Sequence, residues 1–316
     1  MRCLIIGGGG FLGSHLAIGL LAQGYAVRVL DRPNLQRFEG VQCPDSVEWY
    51  EGDFVNHDDL SAAISGCDIL FHLAWTTLPK SSNGNPIYDV ETNVLGTLRL
   101  LEVASQQKVR KVIFASSGGT VYGIPERIPI SESHPTQPLC AYGISKLMAE
   151  KYLCLHHAMT GLDYCILRLA NPFGERQKPT GSQGVVSVFL DKALRNEKIE
   201  IWGDGSVVRD YIYVGDVIDA FIKIATYTGE HRLFNVGSGE GKSLRDVVIA
   251  IETMLGRRIA CAFSPGRSFD VPSNVLDISK IRAALGWEPR TSFNSGLFRM
   301  VSWLSLKCER GNKAIA

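Results

Sequence analysis

Tyr142-Gly-Ile-Ser-Lys146 sets a phenol and an ammonium four residues apart with small residues between them. On a helix that spacing stacks the two side chains on one face. A nearby positive charge favours a phenolate, and a phenol tuned in this way can take the proton of a sugar or alcohol hydroxyl near neutral pH. Tyr and Lys are common residues, so the weight of the pattern depends on what must position it.

Residues 2–6 form a short apolar run, followed at once by Gly7-Gly-Gly-Gly10-Phe11-Leu12-Gly13 and an apolar helical segment ending near Gly24. Strand, glycine turn and helix in that order are the context of a dinucleotide fingerprint. Gly7 permits the tight turn, Gly10 lets backbone approach a pyrophosphate, and Gly13 lets the helix pack close to the strand. The amides of Phe11, Leu12 and Gly13 then face the phosphates. A second strand over 26–30 ends in Asp31, whose carboxylate suits the ribose hydroxyls of NAD and repels the 2′-phosphate of NADP. Arg32 follows and could pair with that phosphate, so NAD is the expected cofactor and NADP the alternative.

A third strand over 47–50 is closed by Gly52-Asp53-Phe54, which sets Asp53 to accept from the adenine amino group and Phe54 beside the ring. A helix over 58–64 leads to a buried strand over 68–74. Its carboxyl end, Leu73-Ala74-Trp75, is expected over the pyrophosphate, and His72 reads as a satisfied strand histidine. A polar loop over 76–86 precedes an amphipathic helix over 87–107 that carries Asn93. The fifth strand, 111–115, runs into Ser116-Ser117-Gly118-Gly-Thr120-Val-Tyr122, and a sixth, 165–169, stops at Asn171. This alternation predicts an α/β fold, a Rossmann-type doubly wound parallel sheet.

Beyond Asn171 the rhythm changes. Helices are expected over 185–195, 216–226, 244–255 and 278–285, strands over 199–202, 208–214 and 233–236, and a fraying polar tail from Lys307. The division that follows is an NAD-binding domain of residues 1–170 plus about 208–238. Residues 171–207 and 239–316 make a smaller C-terminal α/β substrate-binding domain.

Composition bounds the function. Among 316 residues, 45% are apolar and 21% charged, with net charge +1, so no basic field argues for nucleic acid or a membrane surface. Apolar runs break well before the roughly 18 residues of a membrane span. Eight cysteines lack CxxC spacing and the N-terminus lacks signal-peptide anatomy, which reads as a cytoplasmic protein with reduced thiols and no metal site.

In order and at these intervals, the motifs resemble the extended short-chain dehydrogenase/reductase family, in its NAD-dependent sugar-nucleotide epimerase/dehydratase branch. The resemblance runs from Gly7 to about Pro289 and includes Asp31, Asp53, Ser116-Ser117, Asn171, Val208-Arg-Asp210 and Arg267-x-x-Asp270. It implies that Tyr142 deprotonates a hexose hydroxyl while the adjacent carbon gives hydride to NAD. Lys146 would bind the nicotinamide ribose and, with the positive ring, hold Tyr142 as phenolate. Asn93 and Ser116 would join the cofactor site. Asn171, Arg209 and Arg267 would grip the nucleotide diphosphate, and Trp202 would meet the base, with Tyr122, Val186 and Asp270 also on the substrate side. Asn274 stands at the position that gates pocket size; being intermediate in size, it leaves N-acetylated sugars open. A homodimer through the helices beginning near Ile87 and Tyr142 is a further implication.

One position departs from the pattern. The usual catalytic Ser or Thr falls on Gly118, leaving Ser117 or Thr120 to supply the hydroxyl. The resembling dehydratases and decarboxylases carry a Glu where Thr120 stands, so water elimination is disfavoured. The expectation is a 4-epimerase of a UDP-hexose or UDP-N-acetylhexosamine. The alternatives are an NAD(P)H-dependent reductase of a nucleotide-linked keto sugar, and a dinucleotide-sensing regulator, against which the Tyr142–Lys146 pair argues.

Overall fold

A computed structural model of the chain describes residues 1–33, 38, 42–179, 184–266 and 271–313. The first half runs β1 (Arg2–Ile6), α1 (Phe11–Ala22), β2 (Ala26–Asp31), β3 (Val47–Glu51), α2 (His57–Ile64) and β4 (Ile69–His72). Then come α3 (Pro79–Ser82), α4 (Pro86–Asp89), a π-helical turn (Val90–Val94), α5 (Leu95–Gln106), β5 (Lys111–Ser117), α6 (Ala141–Thr160) and β6 (Asp163–Leu169). The second half runs β7 (Asn171–Phe173), α7 (Val185–Leu194), β8 (Ile199–Trp202), β9 (Val208–Tyr213), α8 (Val214–Thr226) and β10 (Leu233–Val236). It ends with β11 (Gly241–Ser243), α9 (Leu244–Leu255), β12 (Cys261–Ser264), β13 (Ser273–Asn274), α10 (Ser279–Leu285) and α11 (Phe293–Lys313).

Seven parallel strands form one sheet in the order β10-β6-β5-β4-β1-β2-β3. Parallel strands need both faces covered, and the inner strands are accordingly mostly apolar, while the edge strand β3 carries Glu48 and Glu51. Alternate residues feed two cores: Cys3 and Ile5 join α1 and α8 on one face, while Leu4 and Ile6 join α2, α5 and α6 on the other. The carboxyl ends of β1, β4 and β5 therefore open on one edge, where open α/β sheets bind ligands.

Three differences from the sequence reading bear on the site. Of residues 208–238, expected with the nucleotide-binding part, β9 pairs instead with β7, β11 and β13 in a separate small sheet, while β10 joins the seven-stranded one. The helix expected over 87–107 is broken into α4 and α5 by the π turn. That turn leaves Asp89 and Asn93 both fully buried. The helix α11 was not expected, and it continues past Lys307, where the tail was expected to fray.

Candidate active site

Helix α6 starts beside the sheet edge and brings Tyr142 and Lys146 one turn apart. The Tyr142 amide donates to Ser82 Oγ at 3.0 Å and the Ala141 amide to Asn83 Oδ1 at 2.9 Å, so the segment at α3 caps the helix. The half-buried Tyr142 hydroxyl has no hydrogen-bond partner among the described residues. Lys146 Nζ donates to the Ala115 carbonyl at 2.7 Å. It lies 3.7 Å from the Trp75 ring centroid, 4.7 Å from that of Phe114 and 5.7 Å from that of Tyr142.

Burial pushes the Tyr142 phenol above its ordinary range, and Cys140 and Asp89 add to the rise. Burial also pulls the Lys146 ammonium well down, against the opposing fields of Glu150 and Asp89. Burial thus outweighs the ammonium at 5.7 Å, and the phenolate expected from Lys146 and the positive ring together needs both of them. The cationic nicotinamide ring of bound NAD would supply the additional positive charge.

Beneath the pair lies a polar network that the sequence did not reveal. Asp89 is fully buried; its Oδ2 accepts from Ser145 Oγ, and its Oδ1 accepts from Thr77 Oγ1 and, at 3.1 Å, from Asn93 Nδ2. Asn93 Oδ1 accepts the Thr76 amide at 2.8 Å. Asn93, expected to bind cofactor, instead ties the loop after β4 to Asp89, which carries the link on to α6 through Ser145. An acid and an amide four apart on an otherwise apolar helix face were the available signal.

Ser116, also expected at the cofactor, turns its hydroxyl onto Glu150 Oε1. Glu150 in turn receives Arg168 through Nε at 3.0 Å and Nη2 at 2.6 Å, with both side chains 4% exposed. Breaking such a buried pair from one side costs about 3–5 kcal/mol, so this cluster is scaffold.

The glycine turn has the shape an NAD pyrophosphate requires. A Cβ on Gly7, whose φ is +85°, would lie 2.8 Å from the Ala74 amide nitrogen, and one on Gly13 would lie 2.3 Å from the Gly7 carbonyl oxygen. No side chain among the described residues caps the first amides of helix α1, which leaves those of Phe11 and Leu12 for an anion. Asp31 ends β2 against this turn, its carboxylate accepting from the Gly9 and Arg32 amides at 2.9 Å each. Burial raises its pKa while those two amides act to lower it. The residues present fit NAD: Asp31 would meet the ribose hydroxyls and the α1 amides the phosphates. Leu73 and Ala74 hang from the Ile6 carbonyl, at 3.0 and 2.9 Å, and wall the turn.

Asp53 is exposed at the end of β3, its Oδ1 accepting from the Val55 amide at 3.1 Å. Phe54, expected beside adenine, is buried instead: a Cβ on Gly96 would lie 2.5 Å from its ring, so it packs into the core under α5. Trp75, expected over the pyrophosphate, stands at the Tyr142–Lys146 pair.

On the substrate side, Asn171 Nδ2 donates to the Asp210 carbonyl at 3.0 Å, and Arg209 Nη1 to the carbonyls of Val208 and Val271 at 2.8 and 2.7 Å. Asp210 is buried and pinned by Ser238, Gly239 and Leu276, so it braces β9. Val186 is buried in α7 and Trp202 is exposed at the end of β8. Tyr122 is corrected: it is buried and its hydroxyl is committed to Asn235 Oδ1 at 2.7 Å. Arg267 and Asp270 lie outside the described residues. The Ser117 hydroxyl is partly exposed and without a partner among the described residues, whereas Thr120 Oγ1 is buried and unpaired. Asn274 is buried, with Nδ2 donating to the Gly118 carbonyl at 3.1 Å and Oδ1 without a partner among the described residues.

A doubly wound sheet with a glycine cradle at one strand end and a Tyr/Lys pair beside it defines a dinucleotide-dependent enzyme acting on a hydroxyl-bearing substrate. The model of the NAD dependent epimerase/dehydratase family matches residues 3–237. The chain is 36% identical over 315 residues to the UDP-glucose 4-epimerase of Mycolicibacterium smegmatis, covering 98% of this chain and 100% of that one. It superimposes with TM-score 0.92 and 34% identity on the UDP-glucose 4-epimerase of Thermotoga maritima solved with UDP-glucose, covering 98% and 100% of the two chains. The UDP-glucose 4-epimerase of Thermus thermophilus, solved with NAD, gives TM-score 0.89 and 35% identity over 96% and 99%. The chain belongs to the NAD-dependent epimerase/dehydratase family, and its cofactor is NAD.

Proposed function

We propose that the protein is a 4-epimerase of a UDP-hexose, N-acetylated or not, working through a transient 4-keto sugar. The observation that carries this reading is the composition of the reaction centre. Tyr142 presents an unpartnered hydroxyl beside Lys146, and position 120 bears a hydroxyl where elimination would need a carboxylate. The buried carboxylate of Asp89 has both oxygens taken by Thr77, Asn93 and Ser145.

Bound NAD would supply the hydride chemistry at C4. Tyr142 would take the O4 proton on oxidation of the sugar and return it on reduction, after the ketone has turned over. Ser117 donates to the same oxygen. Asn171, Arg209 and Arg267 hold the diphosphate while the sugar rotates. Asn274, drawn toward the Gly118 carbonyl, sets the room beside the sugar.

Cytoplasmic action fits the seven free cysteines among the described residues. No helix among the described residues is long and apolar enough to cross a membrane. Exposed apolar side chains on α4, α5 and α6, including Ile87, Leu95, Ile144, Leu155 and Met159, support a homodimer through these helices.

Proton NMR of the purified protein with UDP-glucose, UDP-N-acetylglucosamine or UDP-glucuronate, adding no cofactor, tests the reading. A C4-epimer signal in one tube is the expected result. Silence in all three, followed by NADPH consumption on a 4-keto sugar nucleotide, would transfer the assignment to a reductase.

A further inference from the structure

The loop after β4 carries a large aromatic side chain to the reaction centre. The Trp75 indole stands edge-on to Tyr142 with centroids 6.1 Å apart, and tilts against Phe114 at 5.8 Å and His72 at 6.3 Å. Lys146 Nζ lies 3.7 Å from its ring centroid, inside the reach of about 6 Å over which a ring face attracts a cation. Apart from the Ala115 carbonyl, the ammonium rests on ring faces, and no carboxylate forms a salt bridge with it among the described residues. The indole Nε1 is buried and has no hydrogen-bond partner among the described residues. A Trp kept only for packing buries its N–H against an acceptor, and an orphaned donor is tolerated where something else completes it.

We infer that Trp75 is a positioning residue for the reaction: its ring face fixes the Lys146 ammonium beside Tyr142, and its unpaired N–H is a donor for the bound ligand. The inference rests on the epimerase reading of the Tyr142–Lys146 pair.

The ionisable groups acting on this pair are Asp89 from α4, Glu150 from α6 and Cys140 ahead of it, with His72 on β4 facing Lys146. Burial takes His72 down to about 3, so it is neutral through the working range. Trp75 adds no charge. Without charge it can act by where it holds the ammonium or by excluding water, and we assign it the first. Those two roles have opposite signatures. Releasing the ammonium raises the pKa of the proton acceptor and moves the rising limb of kcat toward alkaline pH. Admitting water to a buried phenol eases its ionisation and moves the limb toward acid.

The test is the kcat–pH profile of the full-length wild type and of Trp75→Met, Trp75→Leu and Trp75→Phe, on the UDP-sugar that the wild type turns over. Removing the face with Met or Leu is expected to shift the rising limb alkaline by about half a unit or more. In the same variants kcat at pH 7 is expected to fall by about tenfold, with KM within about threefold. Trp75→Phe keeps a face and loses the N–H, so its limb stays in place while KM or NAD retention weakens by about threefold or more. The Phe variant remains decisive even where Met and Leu fail to fold. An unmoved or acid-shifted limb in the Met or Leu variant overturns the inference, as does a Phe variant with unaltered ligand binding. A wild type silent on every UDP-sugar defeats the epimerase reading instead.

Discussion

The amide of Asn274 donates to the carbonyl oxygen of Gly118 at 3.1 Å, joining the position proposed to set the room beside the sugar to the one where a catalytic Ser or Thr was expected. The packing explains the glycine. A Cβ at position 118 would lie 2.6 Å from Leu276 Cδ1 and 3.3 Å from the Arg168 carbonyl oxygen, and Leu276 is fully buried. Gly118→Ser should therefore cost about 1–3 kcal/mol through overpacking, read as a lower melting temperature. Adding Leu276→Ala should recover less than the whole loss, since it opens a void elsewhere. A Gly118→Ser protein as stable as the wild type would show that the loop yields freely.

With position 118 closed to a side chain, two hydroxyls compete for its role, and their surroundings separate them. Ser117 ends β5 partly exposed, while Thr120 buries an unpaired Oγ1 against Gly143, whose Cβ would lie 3.2 Å from that of Thr120. Ser117→Ala should lower kcat by about 10²-fold, the typical loss of one donor to the reacting oxygen. Thr120→Val replaces an unsatisfied hydroxyl by a methyl and should leave stability equal or raised. Steady-state kinetics and melting curves on both variants check this, and a larger kcat loss in Thr120→Val would reverse the assignment.

Tyr142→Phe isolates the chemistry. Its hydroxyl bonds nothing within the described protein, so removing it should change stability by less than about 0.5 kcal/mol. Turnover should fall by about 10³-fold or more, with NAD still retained through gel filtration. Persistent turnover would mean that another group takes the sugar proton.

Much of this was legible in the chain because the signals are local. The strand–glycine–helix start, Asp31 closing β2 and the Tyr/Lys spacing each need only a few neighbouring residues. The strands β11, β12 and β13 were missed because they are two to four residues long and owe their pairing to β8 and β9. Helix α11 did carry a spacing, Phe293, Leu297 and Met300 buried at helical intervals, diluted by polar residues between them. The contacts of Asp89 with Ser145 and of Ser82 with Tyr142 span 56 and 60 residues, which no local pattern encodes. Phe54 was misplaced because Asp53 and Phe54 were read together, although the close approach of Gly96 draws one inward while the other stays exposed.

Acid should weaken the fold through His72. It is 1% exposed, bonded through Nε2 to Thr97 Oγ1 at 3.0 Å, and burial lowers it from 6.5 to about 3. Because the folded pKa lies below the unfolded one, the unfolded chain binds the extra proton between those values. Stability is then full above pH 6.5 and declines as pH falls toward 3, by at most about 1.4 kcal/mol per unit. His72→Gln removes this slope. Urea unfolding at pH 7.0, 6.0 and 5.0 should show the wild type losing stability faster than the variant, and parallel declines would mean that His72 is solvated or charged in the fold.

Helix α6 presents two contrasting faces. The inner one carries Tyr142, Lys146 and Glu150 at successive turns, and the outer one carries Ile144, Leu155 and Met159, which are 48%, 49% and 70% exposed. Ile87 on α4 is 71% exposed and Leu95 at the start of α5 is 41% exposed, so the apolar surface extends beyond one helix. Isolated exposed apolar residues need no explanation, but a set spread over packed neighbouring helices supports the proposed dimer interface. A stable one buries on the order of 1,000 Å² or more in total. The double variant Ile144→Lys with Leu155→Glu puts charge in its centre without touching the inner face. Sedimentation velocity should show a dimer for the wild type and a monomer for the variant, with a lower melting temperature as the lost association is felt through mass action. A monomeric wild type at micromolar concentration would remove the dimer from the proposal and leave the inner face of α6 as it stands.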